Sequence, residues 1–445
     1  MDMDAELRVG INTLAFAPGH SGGDGTYIQY LVRALSAGGG ACRWCQALPH
    51  PPGCAGARGG NDAPGCSGAP ACQATDQEPT QAARTHYLVF AAPWNAAALE
   101  PLGPHATLVR CAVPGRSFAL RALWEHLMLP RVAEQAGLDV LHAPVNVAPL
   151  GAFGAPGRAP GRAGTPCRLV LTLHDVSPYL PGTRLPPALY LYWRFVRSAS
   201  ARQAAVVIAV SHASAAQVVR RMGVVPQKLR VIHHGVAPIY LEPDPAGPAQ
   251  EPPLPGLAPG YLLWVGRPYP SKNLAVLLQA LHLLRDRDPS WRHTPLVLVG
   301  CAGWDERRVA ALVRRLGLRE QVVRVGHSNE RLLRRLYRHA AALVLPSTEE
   351  AFGLPVLEAM ACGTLVVASR LESIVEVAGD TPLYVAPQDA AGWAAALAAA
   401  RAAWRTQPPA YHARLARGRA RAETFCWART AAATARVYAA VAAGG

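Results

Sequence analysis

The sequence predicts an α/β chain of two successive domains, each a parallel sheet covered by helices. Three observations predict it. Short apolar runs alternate with amphipathic stretches along most of the chain, as strand–helix–strand units with right-handed crossovers require. Residues 242–260 hold seven prolines and little apolar periodicity, which reads as an extended linker. The length of 445 residues suffices for two or three cores of ordinary domain size.

Composition narrows the function classes. The net charge is +15, yet almost every basic residue is Arg, with Lys only at Lys228 and Lys272. Together with abundant Ala, Gly and Pro this resembles GC-rich coding. Solvated basic helix faces fit it, and so does a surface drawn to anionic lipid or a polyanionic substrate. No aromatic-interleaved basic motif or zinc-finger spacing points to nucleic acid. No apolar run approaches the roughly 18 residues of a membrane span, and Met1-Asp2-Met3-Asp4 is acidic rather than signal-like, so a cytoplasmic location is expected. Five of the ten cysteines (Cys42, Cys45, Cys54, Cys66, Cys72) lie in a Gly/Pro/Ala-rich segment. Cys42-x-x-Cys45 has no matching second pair, so 41–84 is expected to be a disordered insertion with reduced thiols rather than a zinc site.

The first domain is expected to span 1–241. A strand, Leu7–Ile11, leads through Gly22-Gly23-Asp24-Gly25-Thr26 into a helix, Tyr27–Leu35. A Gly-rich turn lets backbone approach a phosphate or sugar, but the G-x-G-x-x-G spacing is missing and an ordinary strand-to-helix turn fits equally well. Tyr87–Phe90 is the next strand, and a helix, Leu123–Ala133, leads to Asp139–His142. The strand Arg168–Leu173 delivers His174-Asp175 to its carboxyl end, where α/β sheets place functional groups. A His there can donate to a sugar hydroxyl with Asp175 orienting it; a structural His at a strand end fits the same residues. The helix Leu189–Gln203 interleaves Tyr190, Tyr192, Trp193 and Phe195 with Arg194 and Arg197, a pattern shared by membrane-interface helices and by core packing. Val206–Val210 and Leu229–His233 are two further strands. Adjacent His233 and His234 cannot share a helix face as a metal pair does, and they read as structural.

The second domain is expected to span 261–426. Its first strand, Tyr261–Val265, runs into Gly266-Arg267-Pro268-Tyr269-Pro270-Ser271-Lys272-Asn273 and the helix Leu274–Arg285. Arg267 and Lys272 on that loop suit a diphosphate, Arg as a bidentate donor and Lys as a point charge. Strands Leu296–Val299 and Val322–Val325 follow, with helices Glu306–Leu316 and Asn329–His339. Asp286-Arg287-Asp288 matches a D-x-D metal motif in form only, since it ends a helix before Pro289 instead of following a strand. The densest chemistry lies at 343–369. There a strand, Ala342–Leu345, is broken by Pro346-Ser347-Thr348, a helix runs Pro355–Cys362, Gly363 ends it, and Leu365–Ala368 is the next strand. Glu350 and Glu358 stand eight apart, the first at the sheet's carboxyl edge and the second inside the helix. One can hold a sugar and the other a ribose, while Phe352-Gly353-Leu354 presents backbone N–H groups where a helix N-terminus attracts phosphate. Residues 427–445 are expected to be helical.

The stretch 343–369 resembles the E-x7-E segment of the retaining GT-B glycosyltransferases of family 4. Ala351 stands where that family usually has Gly, and Leu365 where it has Pro. The V-G-R-x-x-x-x-K-N run at Val265–Asn273, the leucine-His174-Asp175 run and the Gly22–Gly25 loop are similar to family segments as well. The resemblance implies a GT-B fold, with two Rossmann-like domains facing a central cleft and a last helix crossing back to the first domain. It implies transfer of a hexose with retention from a nucleoside-diphosphate sugar to a glycan or lipid-linked saccharide, without a metal or cofactor. His174, Arg267, Lys272 and Glu350 would be catalytic. Gly22, Gly23, Gly266, Phe352, Gly353, Leu354 and Glu358 would line the donor site, Gly326-His327 would lie at the nucleobase, and Glu376 would be a further acidic position. The His-Asp branch is similar to mannosyltransferases of surface polysaccharides, so GDP-mannose is the expected donor and peripheral contact with an anionic membrane fits. Nucleotide-sugar epimerases share the fold, and a nucleotide-binding protein without turnover is compatible with Ala351.

Overall fold

The computed structural model describes residues 6–18, 22–38, 85–150, 167–176, 179, 187–243, 252–300, 303 and 305–444. The insertion expected at 41–84, the acidic N-terminus and the middle of the Pro-rich linker lie outside them.

The described strands form two all-parallel sheets. The first holds β1 (Leu7–Asn12), β2 (Thr85–Ala91), β3 (Ala106–Arg110), β4 (Val140–Ala143), β5 (Arg168–Leu173), β6 (Val206–Ala209) and β7 (Leu229–Val231), in the order β3-β2-β1-β4-β5-β6-β7. The second holds β8 (Tyr261–Val265), β9 (Leu296–Val299), β10 (Val322–Val325), β11 (Ala340–Leu345), β12 (Val366–Ser369) and β13 (Leu383–Val385), in the order β10-β9-β8-β11-β12-β13. Central strands such as β11 are buried at every residue, which is why they read as unbroken apolar runs: helices cover both faces. The order reverses between β1 and β4 in one sheet and between β8 and β11 in the other. Those switch points open the two crevices in which such folds bind ligands, and the loops Gly266–Asn273 and Pro346–Gly353 both leave the second one.

Several elements differ from their sequence expectation for identifiable reasons. The first helix runs Gly23–Ser36, so Gly23 and Gly25 are its opening turn rather than a loop before it. Asp24 in that turn complements the positive helix end. The expected Leu123–Ala133 helix is two, Phe118–Leu127 and Leu129–Gln135, because Pro130 cannot continue a helix begun before it but suits the start of a new one. The edge strand β3 has no fully buried residue, and β13 has only three residues, so neither carries a long buried run.

The two domains share a core. Val210, Val236, Tyr240 and Leu241 of the first pack with Phe352, Leu357, Val366 and Ile374 of the second. The chain then returns: the helix Trp427–Ala442 buries Trp427, Ala431, Tyr438 and Val441 among Val9, Tyr27 and Ile208 of the first domain. Its entry is fixed by Val236 N–H donating to the Phe425 carbonyl (3.0 Å) and by Thr430 Oγ1 donating to the His233 carbonyl (2.7 Å). Gly235 makes this crossing possible, since a Cβ there would stand 2.3 Å from the Trp427 nitrogen. Gly235→Ala is therefore expected to destabilise the fold by about 1–3 kcal/mol through displaced backbone, read as a lower urea midpoint at unchanged slope.

Candidate active site

Four local devices shape the second crevice. β8 is followed by Gly266, at φ 154°, and Gly300, directly after β9, has no room for a side chain, because a Cβ there would meet the Gly266 carbonyl oxygen at 1.8 Å. Arg267 follows, its guanidinium 5.5 Å from the Tyr269 ring. A short turn, Pro270–Lys272, then presents Lys272, and Asn273 at φ 51° anchors the turn through its amide on the carbonyls of Pro346 (3.0 Å) and Pro387 (2.7 Å). Thr348 N–H donates to the Ser271 carbonyl at 2.8 Å, tying this loop to the one after β11.

On that second loop, Glu350 Oε1 accepts from Lys272 Nζ at 2.6 Å and from Ser347 Oγ at 2.8 Å. The structure thus joins two residues that are 78 apart in sequence. Gly353 at φ +96° turns the chain into the helix Leu354–Ala361, whose N-terminus no side chain caps. A Cβ on Gly353 would lie 2.4 Å from Ile374 Cδ1. Glu358 is one turn further in and buried; Tyr337 OH donates to its Oε2 at 2.7 Å. Burial pushes its carboxyl up to about 8, with the Tyr337 bond pulling down and Glu330 pushing up. Gly326 lies with Trp264, Pro268, Gly300, Glu306 and Arg324 around a solvent-open cavity of about 200 Å³ beside the ends of β8, β9 and β10. His327 next to it is exposed. Asp288 is spent on capping, accepting from Ser290 N–H (2.9 Å) and Oγ (2.7 Å).

The first domain closes the crevice from above. A Cβ on Gly23 would lie 3.1 Å from Leu354 Cδ1, so the first turn of Gly23–Ser36 faces the Phe352–Leu354 loop. Gly22 is the residue before that turn. His174 sits at the end of β5, 9% exposed, edge-on to Tyr27 (4.8 Å) and stacked on His234 (5.4 Å). His234 in turn meets the Phe352 ring at 4.8 Å. His174 Nε2 lies 2.7 Å from the Pro144 carbonyl, which can only accept. Burial lowers its basicity, with Asp24 opposing, so the ring is neutral and its proton is on Nε2. Nδ1 is then an acceptor, which corrects the expectation that His174 donates to a hydroxyl. The Pro144 carbonyl orients the ring, while the Asp175 carboxylate takes Arg197 at 2.8 Å and Asn146 at 3.4 Å.

Sequence reasoning gave Glu376 no partner and treated His233 as structural; the structure makes them a clasp between the domains. Glu376 accepts from His233 Nε2 (2.6 Å) and from the backbone N–H groups of His212 (2.8 Å) and Ala213 (3.1 Å), at the N-terminus of the helix His212–Met222. Burial pushes the Glu376 carboxyl up, but those hydrogen bonds outweigh it and hold it below the usual range. Beside it, Ser211 Oγ donates to the Ala351 carbonyl at 2.6 Å. Ala351 packs against the shared core, so its methyl belongs to the seam between the domains. That the residue directly after Glu350 touches the other domain has no local sequence signal.

The chain matches two family models, "Glycosyltransferase Family 4" over residues 79–240 and "Glycosyl transferases group 1" over 259–401. It is 32% identical over 280 residues to O-antigen chain mannosyltransferase B of Escherichia coli, covering 61% of this chain and 70% of that protein. It is 34% identical over 243 residues to a D-inositol 3-phosphate glycosyltransferase of Streptomyces bingchenggensis, covering 52% of each. Among solved structures it superposes on the sucrose-phosphate synthase of Thermosynechococcus elongatus with TM-score 0.66 at 20% identity, over 99% of this chain and 100% of the other. The HepE protein of Anabaena in complex with UDP and glucose gives 0.64 at 18% identity, over 98% and 100%. These two show the two-domain GT-B fold.

The buried Glu358 carboxyl has a definite signature. A raised folded-state pKa favours folding fully below the ordinary carboxyl range, and that contribution is lost as the pH climbs toward about 8. Glu358→Gln cannot ionise, so between pH 5 and 9 (roughly the window below and above that shifted pKa) its urea midpoint is expected to fall less than that of the unsubstituted chain.

Proposed function

Because the chain belongs to glycosyltransferase family 4, we propose that it moves mannose from GDP-mannose to a hydroxyl of a glycan or lipid-linked saccharide, with retention and without a metal. The observation that carries the reading is the Lys272–Glu350 pair, 2.6 Å apart at the switch point of the second sheet beside an uncapped helix N-terminus. Lys272, Arg267 and that helix end supply positive potential for a departing diphosphate, the electrostatic stabilisation that matters most when charge develops. Glu350 is freed to hold the donor sugar as Lys272 turns to the phosphates, and Glu358 meets the ribose. In the transfer the anomeric carbon–oxygen bond to the diphosphate breaks, the bond to the acceptor oxygen forms, and the acceptor proton passes to the departing diphosphate. His174 Nδ1 accepts from a sugar hydroxyl and fixes its orientation without taking the proton.

Mannose rests on the mannosyltransferase of Escherichia coli, 70% of which this chain covers; the inositol-phosphate relative is covered over only half its length. Calorimetric titration with GDP, UDP and ADP is expected to show clear binding of GDP and its loss in Glu358→Gln. Lys272→Ala is expected to lower turnover by roughly 10²–10³ at an unchanged melting temperature. Near-normal turnover in that variant removes the main cationic element of the scheme. Isomerised nucleotide sugar formed without acceptor would establish an epimerase, and nucleotide binding without turnover a binding protein.

A further inference from the structure

The first-domain wall of the crevice carries a carboxylate that the transfer scheme leaves unused. Asp24 lies in the first turn of the helix Gly23–Ser36 and is exposed. Tyr27, three residues on and therefore on the same helix face, stands edge-on to the His174 ring at 4.8 Å. Asp24 is thus set toward His174 at the edge of the crevice, and it is the charge that acts most strongly on that ring, opposing the effect of burial. Among the described residues its Oδ1 accepts from the Gly25 N–H at 3.0 Å and its Oδ2 has no hydrogen-bond partner. A Cβ on Gly22 would meet only Asp24 Oδ1 among the described residues, at 3.8 Å, so the space before the turn is open.

His174 supplies the second half of the arrangement. Its ring is nine-tenths buried, and its Nε2 is spent on the Pro144 carbonyl at 2.7 Å. Nδ1 has no hydrogen-bond partner among the described residues, yet it is not sealed from solvent. A ring nitrogen and a carboxylate, both acceptors, then border one opening, and a pair of O–H groups satisfies both. A helix N-terminus ordinarily attracts phosphate. Here it already carries Asp24, which supplies the negative charge that the dipole favours and repels a second anion. Glu349 on the facing loop is of the same sign: burial pushes its carboxyl up, with Arg221 opposing and Asp175 reinforcing. Arg197 is engaged by the Asp175 carboxylate at 2.8 Å, and Arg221 by Gln217 at 2.7 Å and the Tyr179 carbonyl at 3.1 Å.

We propose that Asp24 and His174 Nδ1 form a subsite for two hydroxyls of a neutral saccharide acceptor, and that Asp24 keeps a phosphorylated sugar out of it. One hydroxyl donates to the carboxylate and the other to the ring nitrogen, and neither gives up its proton there. The Gly-rich turn, which suits a phosphate or a sugar by its backbone alone, becomes a sugar site through this one acid. Calling the sugar an acceptor rests on the glycosyl-transfer reading; the preference for hydroxyls over phosphate rests on Asp24 and His174 themselves.

The test is saturation-transfer NMR on the whole chain with methyl α-mannoside and with its 6-phosphate, read as dissociation constants. The neutral glycoside is expected to bind, and the phosphate to bind more weakly by roughly tenfold. Asp24→Ala is expected to weaken the neutral glycoside roughly tenfold. Asp24→Asn keeps the shape and one acceptor oxygen but drops the charge, so its preference over the phosphate is expected to vanish, and it keeps the test decisive if the Ala variant does not fold. Failure of the unsubstituted chain to bind either sugar, equal affinity for the two, or an Asn variant that retains the full preference overturns the proposal. GDP is titrated into the same samples. A chain that prefers the neutral glycoside yet takes no GDP removes the donor reading and leaves this one, and GDP binding without that preference does the reverse.

Discussion

The geometry of this molecule depends on how one loop, residues 346–353, is held from every side. Its backbone is gripped by Ser373 Oγ, which donates to the Glu350 carbonyl at 2.7 Å, and by Ser211 Oγ from the other domain on the neighbouring Ala351 carbonyl. Its Phe352 ring is closed between His234 at 4.8 Å and Phe425 at 6.0 Å. A loop at the end of a parallel strand is ordinarily the least determined part of an α/β domain. Here packing and hydrogen bonds from three segments leave it one arrangement, and the Glu350 carboxylate inherits that precision. The Glu376 clasp adds the orientation of the domains, because a carboxylate on two N–H groups of a helix terminus is directional as well as charged.

The same seam sets protonation. His142, His174 and His234 are all buried, and burial drives each of them toward the neutral form, His142 to about 3. A neutral ring beside a carbonyl has its tautomer decided for it, as Pro144 decides that of His174. The adjoining network follows the same rule. Tyr438 and Thr172 bracket His142 at 2.7 and 2.8 Å, and Tyr438 belongs to the returning helix. The C-terminal helix therefore does more than cover apolar surface; it completes the polar satisfaction of a first-domain core that would otherwise leave an imidazole nitrogen unpaired.

Much of this was legible in the sequence where the signal was local. The alternation of apolar runs and helices revealed both sheets, and the strand–loop–helix frame that carries Lys272, Glu350, Gly353 and Glu358 could be read from short segments. Boundaries failed where sterics and not periodicity decided them, as at Pro130 and at the glycines that open the first helix. The strands β3 and β13 escaped because edge strands need no continuous apolar face. The pairing of His233 with Glu376, 143 residues away, and of Ser211 with Ala351, 140 away, could not be read at all. Such partners are chosen by the docking of two domains, and no pattern within either segment encodes it.

That asymmetry bears on which half of the site is general. The second-domain parts lie on two loops at a single sheet's switch point, Gly266–Asn273 and Pro346–Gly353, so two short motifs suffice to build them. The first-domain parts come from β5, the helix Gly23–Ser36, the loop after β4 and the returning helix, which are dispersed over the chain and joined by side chains such as Asn146, whose Oδ1 accepts from the His174 backbone N–H at 2.7 Å. A surface assembled from many distant pieces can be altered one piece at a time without disturbing the second-domain loops. Ala351 illustrates the division: its carbonyl and methyl serve the contact between domains, while Glu350 beside it remains bound to Lys272. The first-domain wall of the crevice is thus free to diverge on a constant second-domain frame.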